Sequence, residues 1–322
     1  MRFGLPTVAS IGFLVVELYE RIGHLLYGQS FIDDPTRTGY AFDFPRLADR
    51  IARWDSDPSC QAARRDVNTL AGSGPERFLD PIDYLGYVRE FVPWAGEGEG
   101  EDEGEGRPIQ PPRADPAALR LLGEPVPTVA DLVPRLLRGC AHGDLHGRNV
   151  LVGIVRERAL WPTVFDYEEM GPCNLVGWDF VKLETELKIR AYLEDFAGVV
   201  PSEFVRNVQD FEIDLDARTE ECHRDRAWPA VGSPPTPAER LRAILVEIRR
   251  MAARHLGDNV GRPNDWLEQY YFLLACYGVW TSRFDNLQLR ERMGALVSAG
   301  VATSRLNWPR VKREPPWNVR QE

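Results

Sequence analysis

Residues 140–152 read CAHGDLHGRNVLV, and this stretch decides how the rest of the chain is interpreted. It contains the pattern His-Gly-Asp-x-x-x-x-Asn, formed by His142, Asp144 and Asn149, and an apolar run of strand type follows at once. A second apolar run, TVF, ends in Asp166. Two short β-type runs on either side of a charged turn predict a β-hairpin. The pattern therefore predicts a polar loop, held by a hairpin, with three oxygen-bearing side chains.

These side chains have the chemistry that phosphoryl transfer to a hydroxyl group requires. The reaction needs a carboxylate that orients the acceptor hydroxyl and takes its proton, and Asp144 suits that role. It also needs oxygen ligands for the Mg²⁺ ions that neutralise a nucleoside triphosphate, and Asn149 and Asp166 can supply them. The predicted cofactors are therefore Mg²⁺ and ATP, or another nucleoside triphosphate.

Three segments resemble the aminoglycoside and choline-type phosphotransferases, a family with a protein-kinase-like fold. HGDLHGRNVLV is similar to the catalytic loop of that family, VFDYE (164–168) to its metal-binding segment, and GWDFVKLETEL (177–187) to the segment after it. The sequences of the first and third of these segments most resemble kinase-like domains of bacterial multidomain conflict and signalling proteins. The resemblance implies Asp144 as the catalytic base, Asn149 and Asp166 as Mg²⁺ ligands, and His142 and Asp179 as residues that brace the catalytic loop.

An acidic tract divides the chain into two parts. Residues 97–106 read EGEGEDEGEG, and several prolines follow. Alternating Gly and Glu cannot bury apolar surface and repel one another, so a disordered linker or loop is predicted. The predicted segments are a mainly helical N-terminal part (1–94), the linker (95–116), a kinase-like C-terminal lobe (117–308) and a tail (309–322).

The spacing of apolar residues predicts an α+β fold that is mainly helical. The hairpin strands are predicted at 150–152 and 163–165. A helix, or a strand running into a helix, is predicted over 13–26. Helices are also predicted over 44–54 and 82–92 before the tract, and over 128–137, 177–192, 239–255, 266–284 and 287–306 after it.

The N-terminal part of the chain lacks two features with which a complete kinase binds its nucleotide. The first 181 residues contain no lysine and no GxGxxG motif, although a kinase N-terminal lobe uses both. The nucleotide-binding lysine is therefore unknown, and the N-terminal lobe is predicted to be reduced or missing. Three explanations stay open. In the favoured explanation, the chain begins after the sheet of that lobe and needs a partner chain or upstream domain. In the second, an arginine such as Arg2 or Arg21 replaces the lysine. In the third, the protein is a degenerate, non-catalytic kinase fold.

Two other functions compete with the phosphotransferase. A pseudokinase-type binding or regulatory module is consistent with the missing lysine. A metal-dependent hydrolase could use His142, Asp144 and His146, which spell H-x-D-x-H. Its further ligands would have to come from His223 and His255, which lack motif spacing.

Composition narrows the partners and the compartment. A formal net charge of −10 argues against nucleic-acid binding. No run of 18 apolar residues occurs, so no membrane span is predicted. The five cysteines are scattered and form no CxxC pair, which favours free thiols in a reducing compartment. A cytoplasmic protein is expected, whose partners are a nucleotide and a hydroxyl-bearing acceptor.

Overall fold

The fold is α+β and mostly helical, with two small antiparallel sheets. The computed structural model describes residues 8–28, 30–33, 56–71, 78–91, 132–155, 158–225, 236–257 and 265–306. The helices are α1 (Val8–Leu25), α2 (Pro58–Ala71), α3 (Pro81–Phe91), α4 (Val176–Asp195), α5 (Pro201–Asp225), α6 (Pro237–Ala252), α7 (Asp265–Thr281) and α8 (Leu289–Ser304). The strands are β1 (Phe31–Asp33), β2 (Leu136–Ala141), β3 (Val150–Val155), β4 (Arg158–Val164) and β5 (Gly171–Leu175).

The loop that carries the His-Gly-Asp-x-x-x-x-Asn pattern, residues 142–149, connects a strand of one sheet to a strand of the other. Strand β2 is the middle strand of the order β1-β2-β5, and it ends one residue before His142. Strands β3 and β4 form a separate antiparallel hairpin that begins just after Asn149. Arg138 of β2 ties the first sheet together, since it pairs with Asp33 at 2.5 Å and donates to the Cys173 carbonyl at 2.8 Å. The loop is therefore anchored to a strand at each end.

Helix α4 is the central element of the helical part. Its buried residues lie on all sides of the helix, as expected for a helix that other elements surround. It packs against α6, α7, α8 and β2. Close approach to α7 depends on Gly177, where an added Cβ would lie 2.6 Å from the Leu273 side chain. Because α4 is enclosed in this way, residues along it can be held in fixed positions.

A network of buried charges joins α4 to α5 and α6. Arg249 of α6 bonds Glu184 of α4 and Asp216 of α5, each at 2.8 Å. Lys188 of α4 bonds Glu184 at 2.6 Å and Glu212 of α5 at 2.7 Å. All five side chains are at most 2% exposed. Buried charges persist only when they are paired, so this network fixes the three helices relative to one another.

Most of the predicted elements are confirmed. The hairpin is present, and helices occupy most of the described residues in the ranges predicted at 13–26, 82–92, 177–192, 239–255, 266–284 and 287–306, with ends that differ by one to five residues. None of the helices in the described residues is long and apolar enough to cross a bilayer. All five cysteines are free thiols.

The helix predicted over 128–137 is wrong at its C-terminal end: Leu132 is helical, but residues 133–135 are not, and β2 starts at Leu136. This strand is buried between β1 and β5, and a short buried strand cannot be told from a helix by periodicity. Helix α5, the longest of the described helices, and strand β1 were not predicted. The predictions for 44–54, 95–116 and 309–322 lie outside the described residues.

Replacing Arg249 with Met should destabilise the protein strongly. The change leaves Glu184 and Asp216 buried with one cation fewer, and breaking a buried pair costs about 3–5 kcal/mol. Urea denaturation measures the loss. Arg250→Met is the matched control, because Arg250 is partly exposed and pairs with Glu247 on the same helix; it should cost about 1 kcal/mol or less. Equal losses in the two variants would contradict a stabilising network.

The same network predicts how stability depends on acid pH. Burial would raise the pKa of the Glu184 carboxyl, but the charges of Arg249 and Lys188 outweigh burial and lower that pKa from 4.5 to about 2. A lowered folded-state pKa contributes stability above the unfolded pKa, and this contribution is lost as the pH falls from about 4.5 towards 2. The difference corresponds to about 3 kcal/mol. Denaturation measured at several pH values should show that loss, and Glu184→Gln should show a smaller one.

Candidate active site

The buried carboxylate of Asp179 holds the start of the loop 142–149, which carries the His-Gly-Asp-x-x-x-x-Asn pattern. It lies in the first turn of α4 and accepts the backbone N–H of His142 at 3.0 Å and that of Gly143 at 2.8 Å. The Tyr27 hydroxyl of the segment after α1 donates to it at 3.0 Å. Burial raises the pKa of Asp179, whereas these three donors act in the opposite direction. A carboxylate that accepts hydrogen bonds from two loop amides and a hydroxyl fixes the loop backbone firmly.

Gly143 is the residue that allows the loop to turn here. Its φ is +80°, in the left-handed region that favours glycine. A Cβ at this position would lie 2.6 Å from the carbonyl oxygen of Glu169. The close approach lets the loop run beside the segment that follows Asp166.

The buried His142 ring connects the loop to the end of the hairpin. Its Nδ1 accepts the Asp144 backbone N–H at 3.3 Å, so the ring proton lies on Nε2 and is donated to the Phe165 carbonyl at 3.0 Å. Phe165 also donates its own N–H to the Asn149 carbonyl at 3.1 Å. Both backbone groups of Phe165 are thus tied to the loop, which fixes where Asp166 begins.

The Asp144 carboxylate is about one-third exposed and is contacted by three side chains. Lys182 of α4 bonds its Oδ1 at 3.0 Å, His146 lies 3.3 Å from its Oδ2, and the Asn149 amide nitrogen lies 3.4 Å from Oδ2. Burial raises the pKa of Asp144, but the charge and the hydrogen bond of the Lys182 ammonium are the largest opposing causes, and the pKa lies below its ordinary value. Asp144 is therefore an ionised carboxylate that faces solvent.

Asn149 lies directly against Asp144 at the end of a short 3₁₀ turn, Gly147–Asn149. Its amide nitrogen donates to the Asp144 carbonyl at 3.0 Å. Since the nitrogen is used in this way, the amide oxygen is the group left for a cation. The orientation suits a metal ligand, as an Asn amide binds metals through oxygen.

Asp166 has an unusual backbone conformation. It has φ +61°, and among the described residues it is the one non-glycine residue with a positive φ. Asp and Asn tolerate this region better than most residues, yet such a conformation still costs free energy and occurs often at functional sites. The side chain is exposed and follows Phe165 directly. An exposed carboxylate on a backbone held in this way is suited to bind a cation.

The structure brings the predicted residues together to different degrees. Asp144 and Asn149 are in direct contact, and Asp179 and His142 meet through the backbone of the loop. Asp166 is linked to the others through Phe165. Two carboxylate or amide oxygens fit Mg²⁺, which commonly takes few protein ligands and completes its shell with water and substrate phosphates.

The geometry does not support the hypothesis that His142, Asp144 and His146 form the metal site of a hydrolase. Both ring nitrogens of His142 are already bonded to the protein, so the ring has no lone pair for a metal. His223 lies beside Trp266, with 3.4 Å between the two ring nitrogens. Within the described part of the chain, no group of three or more His, Cys, Asp or Glu side chains could hold a metal ion.

Sequence reasoning missed two residues of α4 that contact the loop. Lys182 donates to the Gly143 carbonyl at 2.5 Å as well as to Asp144, and Glu186 accepts the Gly147 N–H. They follow Asp179 by three and by seven positions, which places all three residues on one face of a helix. That spacing, once Asp179 was assigned to a helix facing the loop, was the signal that could have found them.

The chain has no match in three comparisons with known proteins. Neither protein-family models, nor curated proteins, nor solved structures show a significant similarity to it. Function is therefore argued from the geometry of the site.

Replacing Asp179 with Asn should destabilise the protein and loosen the loop. An amide can accept through its oxygen alone, so its NH₂ group must face the N–H of His142 or of Gly143. One unsatisfied buried donor costs about 1–3 kcal/mol. Tyr27→Phe is the control, because it removes one donor and leaves both amide bonds, with an expected cost of about 1 kcal/mol. Denaturation and hydrogen exchange of the two amides measure the effects; unchanged amide protection in Asp179→Asn would contradict the bracing role.

Proposed function

We propose that this protein is an ATP- and Mg²⁺-dependent phosphotransferase of the aminoglycoside phosphotransferase and kinase-like class, with a protein-kinase-like fold. It transfers a phosphoryl group to a hydroxyl. The observation that carries the proposal is the linked set of Asp144, Asn149 and Asp166: the first two are in contact, and the third is held in a left-handed conformation after a residue bonded to the loop at both of its backbone groups.

In this proposal Asp144 orients the acceptor hydroxyl. Its carboxylate is ionised and reaches solvent, so an incoming hydroxyl can donate to it. Phosphoryl transfer passes through a loose transition state that asks more of positioning than of basicity. A carboxylate with a lowered pKa can therefore serve, because it keeps its charge while it orients the acceptor.

Asn149 and Asp166 are the residues that would hold Mg²⁺, and bound Mg²⁺ neutralises the charge of the triphosphate. His142 and Asp179 act as bracing residues, since each bonds the loop backbone or the strand end rather than facing solvent. A cytoplasmic location, where ATP is available, is part of the same proposal.

A second candidate is a binding or regulatory module of the pseudokinase type. The observation that favours it is the exposed apolar surface of the hairpin: Leu151 is 56%, Ile154 68% and Trp161 42% exposed. Consecutive strand residues face opposite sides, and Leu151 and Val152 are both exposed, so each face of the hairpin presents apolar area. Such a surface is typical of a site that binds a partner. A phosphotransferase that needs a partner chain or upstream domain would also present it.

Mg²⁺·ATP should raise the melting temperature of the wild-type protein, and Asp166→Asn should abolish that rise. Asn tolerates the left-handed conformation but lacks the charge that binds Mg²⁺, so the fold is retained while the ligand effect is lost. Glu168→Gln is the matched control, because it removes an exposed carboxylate two residues away and should keep the rise. Calorimetric titration with and without Mg²⁺ measures the affinity directly.

The same measurement separates the two candidates. The protein is assayed alone and together with the product of any adjacent reading frame that encodes a lysine-containing sheet. A Mg²⁺-dependent rise that Asp166→Asn removes supports the phosphotransferase. A folded protein with no nucleotide effect in either setting overturns it and favours the binding module.

A further inference from the structure

Lys182 occupies a position at the candidate site that the roles assigned so far do not explain. Its ammonium, on a side chain that is 13% exposed, contacts the Gly143 carbonyl at 2.5 Å and the Asp144 Oδ1 atom at 3.0 Å. It also lies 5.8 Å from the centre of the Tyr277 ring, within reach of a cation–π contact. These three contacts restrain the position of the ammonium.

Lysine is rare in this chain, whereas arginine is common. Among the three lysines of the chain, Lys188 is buried in the charge network and Lys312 lies outside the described residues, so Lys182 is the one described lysine at the candidate site. Helix α4 holds Lys182 rigidly, because Asp179 before it and Glu186 after it both bond the loop on the same face. The ammonium that contacts Asp144 is therefore carried by a rigid helix.

We propose that Lys182 is the positioning residue of Asp144: its ammonium holds Oδ1 and the Gly143 carbonyl, so that the carboxylate keeps one rotamer and presents its exposed side to the acceptor. The inference rests on the proposed function, because the orientation matters only if Asp144 receives a hydroxyl. A carboxylate that can rotate is less often aligned with its acceptor, and misalignment lowers the rate of the chemical step.

The kinetic test measures ADP formation from Mg²⁺·ATP, with water as the acceptor, in the full chain and any partner it requires. Lys182→Met should lower kcat by about 10–100-fold and change KM for ATP by less than about threefold, as expected for an effect on the chemical step. Lys182→Arg should recover part of the rate, since the charge is kept but the forked guanidinium fits the place imperfectly. Arg218→Met, which removes an exposed cation of α5 that pairs with Asp214 on the same helix, should leave the rate unchanged.

A double-mutant cycle distinguishes positioning from a general structural effect. If Lys182 acts through Asp144, adding Lys182→Met to Asp144→Asn should slow the reaction by less than about threefold further. A fully additive loss overturns the inference, and so does a Lys182→Met variant with the wild-type rate. An Asp144→Asn variant with the wild-type rate instead overturns the proposed function itself.

A second measurement does not depend on turnover. Acetylation of the three lysines by a soluble acylating reagent can be mapped by mass spectrometry. Lys182 should react slowly in the wild type and at least about fivefold faster in Asp144→Asn, because loss of the ion pair frees the ammonium. Asp214→Asn, which removes a carboxylate paired with Arg218 and Arg242, should not change its reactivity. Equal Lys182 reactivity in wild type and Asp144→Asn overturns the inference whether or not the protein forms ADP.

Discussion

The bond between Asp179 and the backbone of residues 142 and 143 is the constraint on which the candidate site depends. A buried carboxylate is costly unless donors surround it, and here two loop amides and the Tyr27 hydroxyl do so. The carboxylate and the loop therefore stabilise each other. With the backbone fixed at His142, its ring reaches Phe165, and the position of Asp166 follows.

Helix α4 connects this site to the stability of the whole helical part. Its first half presents Asp179, Lys182 and Glu186 to the loop, and its other face carries Glu184 and Lys188 into the buried charge network. The network locks α4 against α5 and α6, so the face that supports the loop cannot rotate independently. A rigid supporting element of this kind is what an orienting carboxylate needs, because small displacements of such groups cost rate.

Much of this arrangement could be predicted from local sequence, and the reason is spacing. The hairpin follows from two apolar runs about a charged turn, and contact between Asp144 and Asn149 follows from the short loop between them. The buried strand β2 could not be predicted, because its burial comes from neighbouring strands distant in sequence. Nor could the contact of Lys182 with Asp144, since it depends on how α4 is docked against the loop.

The positive φ of Asp166 and the pairing of Asp144 with Lys182 both bear on whether the proposed catalysis depends on orientation or on a strong base. In the proposed reaction the metal site uses a backbone conformation that costs free energy, and the acceptor site uses a carboxylate whose pKa is lowered. The strained backbone of Asp166 does not improve stability and the lowered pKa of Asp144 does not improve basicity, but both features fix where a charge lies. Since a loose phosphoryl-transfer transition state is stabilised mainly by positioned charges, the two features favour catalysis by orientation over catalysis by a strong base.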